Sequence, residues 1–397
     1  MPDYNYLIVG GGMAAAAAVR GIREVDTSGP IGLIGAETHP PYNRPPLTKG
    51  LWKDTPLEKI WRKTENHGAI LHLGRSAQRL DAANKRVTDD QETVYGYDKL
   101  LLATGGTPRR FMFGGEHIIY LRTLDDYQRL RDQTARGRHF AVIGGGFIGS
   151  EIAAALAMNG KRVTMVFPEA GIGSRIFPRD LVDYLNDYYR KKGVEIVPER
   201  LIAGLEMRSG QPILKVRDVH DENEQELAAD GVVAGIGIRP NVELALSAGL
   251  DVKNGIVVDA SLRTSHPDIY AAGDVANFHN PLLGQRLRVE HEDNANTMGR
   301  LAGLAMAGQT VVYDHLPFFY SDLFDLGYEA VGETDSRLET VADWQNPYRK
   351  GVIYYLRDGR VRGALLWNVW EQVEAARRLI AEPGPFNANN LKGRLPA

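Results

Sequence analysis

Cysteine is absent from all 397 residues of the chain. That excludes disulfide bonds, thiolate metal sites and any Cys-x-x-Cys redox pair, so the protein's chemistry uses no thiol of its own. No run approaches the roughly 18 apolar residues that a membrane-spanning helix needs. Neither sign of charge dominates. The 47 Lys and Arg against 50 Asp and Glu leave a net charge of −3, which gives no electrostatic basis for nucleic acid or an anionic membrane as partner. The basic runs Arg109-Arg110 and Arg190-Lys191-Lys192 are short and read as solvated faces. The first residues, Met1-Pro2-Asp3-Tyr4-Asn5, carry no basic stretch ahead of an apolar one; no signal peptide is expected, and a cytoplasmic protein is the expectation.

What is present has the balance of a globular protein, 43% hydrophobic and 24% charged, in a chain longer than one core usually supports. Two or three domains are expected. The apolar run Tyr4–Val9 predicts a strand, three glycines follow, and the Ala-rich stretch Met13–Arg23 predicts a helix. Pro30–Ile34 and Tyr97–Ala103 predict further strands, with a proline-rich loop and a short helix near Leu47–Trp52 between them. The pattern then restarts. His139–Ile143 predicts a strand, Gly144-Gly145-Gly146 a turn, Phe147–Met158 a helix with Gly160 at its end, and Arg162–Phe167 the next strand. The chain thus repeats one βαβ unit. From about Leu316 the pattern changes to strands at Val352–Leu356 and Gly363–Trp367 and a helix at Val369–Ile380, a small closing α+β domain.

Both turns match a dinucleotide fingerprint. In Gly10-Gly11-Gly12-Met13-Ala14-Ala15, Gly10 permits the tight turn, Gly12 admits a pyrophosphate to the backbone, and Ala15 is small enough for helix to pack on strand. Free N–H groups at the helix start favour the phosphates. Glu37 stands near the second strand's end, where an acid accepts ribose hydroxyls. The second copy is Gly144-Gly145-Gly146-Phe147-Ile148-Gly149, with Glu169 about 20 residues on. A carboxylate there repels a 2′-phosphate, which favours NADH over NADPH; Arg175 keeps NADPH open. A single fingerprint is weak evidence, because glycine-rich turns often serve packing alone. Two copies, each between strand and helix and each with its acid, point to two dinucleotides.

Two further segments, Ala103-Thr104-Gly105-Gly106 and Ala272-Gly273-Asp274, each close an apolar strand. With them the chain resembles the flavoprotein reductases built from two dinucleotide domains. That resemblance implies an α/β fold of two Rossmann-like domains, similar to glutathione reductase, with Thr104, Gly105 and Asp274 on FAD. Gly237, in Val233-Ala234-Gly235-Ile236-Gly237, resembles the segment where the NAD domain returns the chain to the FAD domain. The implied domains are FAD over 1–115 and 243–315, NAD over 116–242, and a C-terminal domain over 316–397.

Pro41-Tyr42-Asn43-Arg44-Pro45-Pro46-Leu47-Thr48-Lys49 resembles a loop shared by oxygenase-coupled ferredoxin reductases, monodehydroascorbate reductases and apoptosis-inducing factor. Val289-Glu290-His291, Gly327-Tyr328-Glu329-Ala330 and Leu366-Trp367-Asn368 are most similar to apoptosis-inducing factor. Tyr320 stands where two of these groups usually carry Trp. The resemblance implies that Arg44, Lys49 and Arg122 contact FAD, with Lys49 beside flavin N5 and paired to Glu151. It places Glu290 and His291 at a helix start facing the flavin, and Glu329 and Asn368 on the NAD side. Phe147, Tyr320 and Trp367 are candidates for stacking on nicotinamide or flavin, the plain alternative being core packing.

The implied activity passes a hydride from NADH to FAD, and then electrons to a ferredoxin-like protein or a one-electron or quinone acceptor. Without cysteine, the disulfide-reducing members are excluded. The alternative is a sensor similar to apoptosis-inducing factor, reduced slowly by NADH into a long-lived charge-transfer complex and changing its conformation or assembly. A monomer and a homodimer both remain open.

Overall fold

In the computed structural model, which describes residues 2–396, the first apolar run forms the strand Asp3–Val9 in the parallel part of a seven-stranded mixed sheet. Ile31–Gly35 flanks it on one side and Val94–Leu102 on the other, with Ala69–Leu73 beyond Ile31–Gly35. The stretches Tyr6–Val9, Ile31–Gly35 and Leu100–Leu102 are apolar and buried, as strands covered on both faces must be. One more parallel strand, Ile269–Ala271, pairs with Leu100–Leu102 although the chain has wandered through an entire second βαβ unit in between. This register shows why the first nucleotide unit is discontinuous: its sheet borrows a strand from far down the chain.

By internal packing the chain divides into two units. The first comprises Met1–Arg44, Pro56–Thr107 and Arg239–Phe319; the second comprises Pro45–Thr55, Pro108–Ile238 and Tyr320–Ala397. The segment Pro45–Thr55 lies inside the range expected for the first domain but groups with the second unit. Its side chains supply the reason: Thr48 and Lys49 hydrogen-bond Glu151, and the Trp52 ring packs edge-on to Tyr127. The helix predicted near Leu47–Trp52 is broken. Two single 3-10 turns, Pro45–Leu47 and Gly50–Trp52, are separated where the Lys49 backbone turns to φ −125°, ψ −96°.

The second unit holds a five-stranded parallel sheet in the order Val194–Val197, Arg162–Val166, His139–Ile143, Gly231–Ala234, Ile118–Tyr120. It also holds the antiparallel sheet near the C-terminus, in which Leu326–Gly332, Arg360–Trp367, Lys350–Arg357 and Glu339–Asn346 are successive neighbours. The helix expected from Val369 starts at Val373. Asn368 and Glu371 adopt φ of +49° and +63°, so the chain turns before it can coil.

In the first unit the helices Met13–Arg23 and Glu292–Met306 pack backbone to backbone, and small residues make this possible. A Cβ on Gly299 would stand 2.3 Å from the Ala14 carbonyl oxygen, and one on Gly303 2.2 Å from that of Ala18. Adding a methyl there forces the helices apart. Gly299→Ala and Gly303→Ala are each expected to destabilise the protein by about 1–3 kcal/mol, the usual cost of overpacking. Denaturant unfolding checks this, and unchanged midpoints would show that the helices separate freely.

Candidate functional site

The two glycine turns use one device. Gly10 adopts φ +132°, and a Cβ on it would lie 2.1 Å from the Ala103 carbonyl oxygen; Gly144 adopts φ +108°, and its Cβ would lie 2.4 Å from that of Gly235. Both conformation and space therefore demand glycine. Gly149 is also obligatory, because its Cβ would meet the Gly144 oxygen at 1.9 Å, whereas Ala15 fits fully buried at the matching place. Gly12 and Gly146 behave in the opposite way. A Cβ on either would touch nothing within 4 Å, so open space lies in front of both helix starts.

Neither helix start carries a side-chain cap. Gly12 and Gly146 are the N-caps of Met13–Arg23 and Phe147–Met158; neither is capped by a side chain, and neither first turn carries an acid. Helix Leu124–Arg136, in contrast, is closed by a capping box between Thr123 and Asp126. Uncapped N–H groups facing open space suit a dinucleotide pyrophosphate, so the residues present fit two such groups.

Around the first turn, Glu37 accepts hydrogen bonds from Arg44 (Nη2 to Oε1, 2.5 Å) and Tyr42 (Oη to Oε2, 2.6 Å). Burial alone would lower the Arg44 pKa, but Tyr42, Glu37 and Asp274 more than reverse this, so the guanidinium stays charged. Thr104 and Gly105 are tied to the returning chain: Thr104 Oγ1 donates to the Asn241 carbonyl at 2.7 Å, and Asn241 N donates to Gly105 O at 3.0 Å. Asp274 sits in the 3-10 turn Gly273–Val275, where its carbonyl accepts from Arg288, which also pairs with Glu290 at 2.7 Å. His291 is the N-cap of Glu292–Met306 and stacks on Phe319, ring centroids 4.3 Å apart.

The second unit brings Lys49 and Glu151 together. Glu151 is 3% exposed on the helix Phe147–Met158, and Lys49 Nζ donates to its Oε1 at 2.6 Å. Removing one partner of so buried a pair usually costs about 3–5 kcal/mol, because the other is left uncompensated. Two hydroxyls complete the carboxylate's shell: Thr48 Oγ1 donates to Oε2 at 2.5 Å and Ser321 Oγ to Oε1 at 2.6 Å. Lys49 also lies over the Tyr320 ring, 5.1 Å from its centroid. Buried nearby, the Tyr189 and Tyr328 phenols are pushed well above their usual pKa by desolvation, with the charge on Glu151 adding to the shift. Sequence reasoning assigned no role to Thr48 or Ser321. Their partner lies 103 and 170 residues away, so no local pattern announces it.

Other expected residues are placed as follows. Glu169 pairs with Arg175 at 2.8 Å, Arg175 being largely solvent-exposed. Phe147 and Ile148 open their helix, with Ile148 exposed. Gly237 adopts φ +89° and its carbonyl accepts from Arg109 N. Arg122 precedes helix Leu124–Arg136, its N–H donating to Asp126. One Glu329 carboxylate oxygen is buried without a hydrogen bond, and desolvation, with Glu371 adding, pushes that carboxyl up. The Asn368 amide bridges Gly327 N and Arg349 O. Trp367 is fully buried, stacked on Tyr328 at 8° and perpendicular to Phe177, an arrangement of core packing.

Residues 4–299 match the family model described as pyridine nucleotide-disulphide oxidoreductase, and 302–347 with 343–382 match that of the C-terminal region of mitochondrion-associated apoptosis-inducing factor. The ferredoxin–NAD(+) reductase component of the anthranilate 1,2-dioxygenase system of Burkholderia cepacia is 36% identical, covering 95% of this chain and 94% of that protein. Mitochondrial apoptosis-inducing factor 1 of Dictyostelium discoideum is 35% identical, covering 95% and 78%. Among solved structures, putidaredoxin reductase in its covalent complex with putidaredoxin superposes with a TM-score of 0.90 at 29% identity, covering 98% and 96% of the two chains. The chain therefore belongs to the pyridine nucleotide-disulphide oxidoreductase family, as a member with no cysteine from which to build a redox disulphide.

Proposed function

We propose that the protein oxidises NADH on bound FAD and passes the electrons to a ferredoxin-like iron–sulfur protein. The observation that carries this reading is two nucleotide cradles in a chain without a thiol: electrons have no disulfide to pass through and must leave the flavin directly for an acceptor. FAD, when bound, supplies the redox chemistry, taking electrons in pairs from the nicotinamide and releasing them singly. The protein supplies binding, alignment and charge. In the first unit, Gly12 admits the FAD pyrophosphate, Glu37 accepts its ribose hydroxyls, and Arg44 and Asp274 hold the chain between the two ends. In the second, Gly146 admits the NADH pyrophosphate and Glu169 takes its adenosine ribose. Lys49 provides the cation that favours a reduced, negatively charged flavin, and Glu151 keeps that cation in place. The similarity to two ferredoxin-coupled reductases supports an iron–sulfur acceptor.

A second reading rests on the C-terminal match and the Dictyostelium relative: an NADH sensor similar to apoptosis-inducing factor, in which slow reduction drives a change of assembly. Mixing the FAD-loaded protein anaerobically with NADH in a stopped-flow spectrometer separates the two. Flavin bleaching at about ten per second or faster is expected for the electron transferase. Slow bleaching, with a persistent long-wavelength band and an NADH-dependent change in sedimentation, would replace it by the sensor.

Two substitutions test the assignments. Lys49→Ala should slow reduction by NADH roughly a hundredfold, the scale on which one preorganised charge acts, and lower the flavin potential. Wild-type kinetics would remove Lys49 from the site. Glu169→Ala should raise the kcat/KM ratio of NADPH to NADH about tenfold, since a buttressed carboxylate no longer opposes the 2′-phosphate and Arg175 is released to meet it. An unmoved ratio would leave coenzyme choice to other residues.

A further inference from the structure

The shell of Glu151 holds more than the ion pair requires. Its two oxygens receive one ammonium and two hydroxyl protons, from segments far apart in sequence: Thr48 and Lys49 in the loop that precedes the second 3-10 turn, and Ser321 in the strand Phe318–Leu323. Thr48 has a single hydroxyl proton, and its other oxygen neighbour, Pro45 O, is 3.3 Å away against 2.5 Å for Glu151 Oε2. The proton therefore points to the carboxylate. Ser321 likewise gives its proton to Glu151, at 2.6 Å. Both hydroxyl residues are buried, so water does not replace either donor.

From this arrangement we infer that Thr48 and Ser321 are positioning residues for electron transfer from NADH: together they fix the Glu151 carboxylate, one hydroxyl on each oxygen, so that Lys49 is held in place yet free to turn its remaining N–H groups elsewhere. A carboxylate held by Lys49 alone would have to follow the ammonium. Held by two charge-assisted bonds, it stays put and Lys49 is anchored by one contact of the three it can make. The inference rests on the reading of Lys49 and Glu151 given above.

The test is a mutant cycle on the FAD-loaded protein. Thr48→Val and Ser321→Ala each remove one hydroxyl at nearly constant shape, and Thr48→Ser restores it. Each deletion is expected to slow anaerobic reduction by saturating NADH about tenfold, the weight of one hydrogen bond to a charged group, with little change in NADH affinity. Both should also lower the flavin reduction potential measured by anaerobic titration, and Thr48→Ser should recover rate and potential. In a Glu151→Gln background the same deletions should have no further effect on either quantity. Full additivity there, or wild-type rates and potentials in the single variants, would overturn the inference. If Glu151→Gln itself leaves rate and potential unchanged, the Lys49–Glu151 reading falls first. If it slows reduction while Thr48→Val and Ser321→Ala do not, only the positioning role falls. Thermal unfolding of each variant identifies loss of folding, and Thr48→Ser then carries the comparison.

Discussion

A carboxylate buried in a protein must be answered by donors, and the second unit is organised around that requirement at Glu151. The residue is only 3% exposed. Water cannot satisfy it, so protein groups must. The answering groups come from a loop near residue 48, a helix near residue 150 and a strand near residue 320, and no two of these segments are neighbours in the chain. Meeting at one side chain, they tie the Pro45–Thr55 loop and the C-terminal sheet to the nucleotide-binding helix within one unit. That one charge also fixes where the loop packs.

The nucleotide cradles follow from a different constraint, the bulk of a single Cβ. Where two backbones touch, as at Gly10 and Ala103 or Gly144 and Gly235, glycine is imposed by space and by positive φ together. At the helix starts, Gly12 and Gly146, a Cβ would meet nothing within 4 Å. Contact and vacancy thus alternate along each turn.

This division explains what could be read from the sequence. Glycine demanded by backbone geometry leaves a fixed local spacing, so both cradles and their flanking elements were legible; His139–Ile143 and Phe147–Met158 fall where their periodicity put them. The loop of Lys49 resembled a family pattern and was recognised as such. The broken helix at Leu47–Trp52 was not legible, because Lys49 leaves helical geometry to reach a partner 102 residues away. Thr48 and Ser321 stayed silent for a related reason: hydroxyls are common, and their meaning lies in a distant acceptor. Trp367 lies in a segment that resembles a ligand-facing one, and in the fold its ring packs in the core on stacked Tyr328 and perpendicular Phe177.

The late strand Ile269–Ala271 carries a consequence for how the protein is made. It pairs with Leu100–Leu102, and the ribosome must add every residue in between before that edge can be covered. At ordinary rates of synthesis the delay is on the order of ten to thirty seconds, far longer than a small α/β unit needs to fold. During that interval the nascent first sheet has an open, apolar, hydrogen-bonding margin along Leu100–Leu102, while residues Pro108–Ile238 are emerging in one continuous run. Vectorial synthesis therefore lets the five-stranded sheet of the insert form before the host sheet is complete. It also makes the interrupted sheet the place where a nascent chain most needs a chaperone.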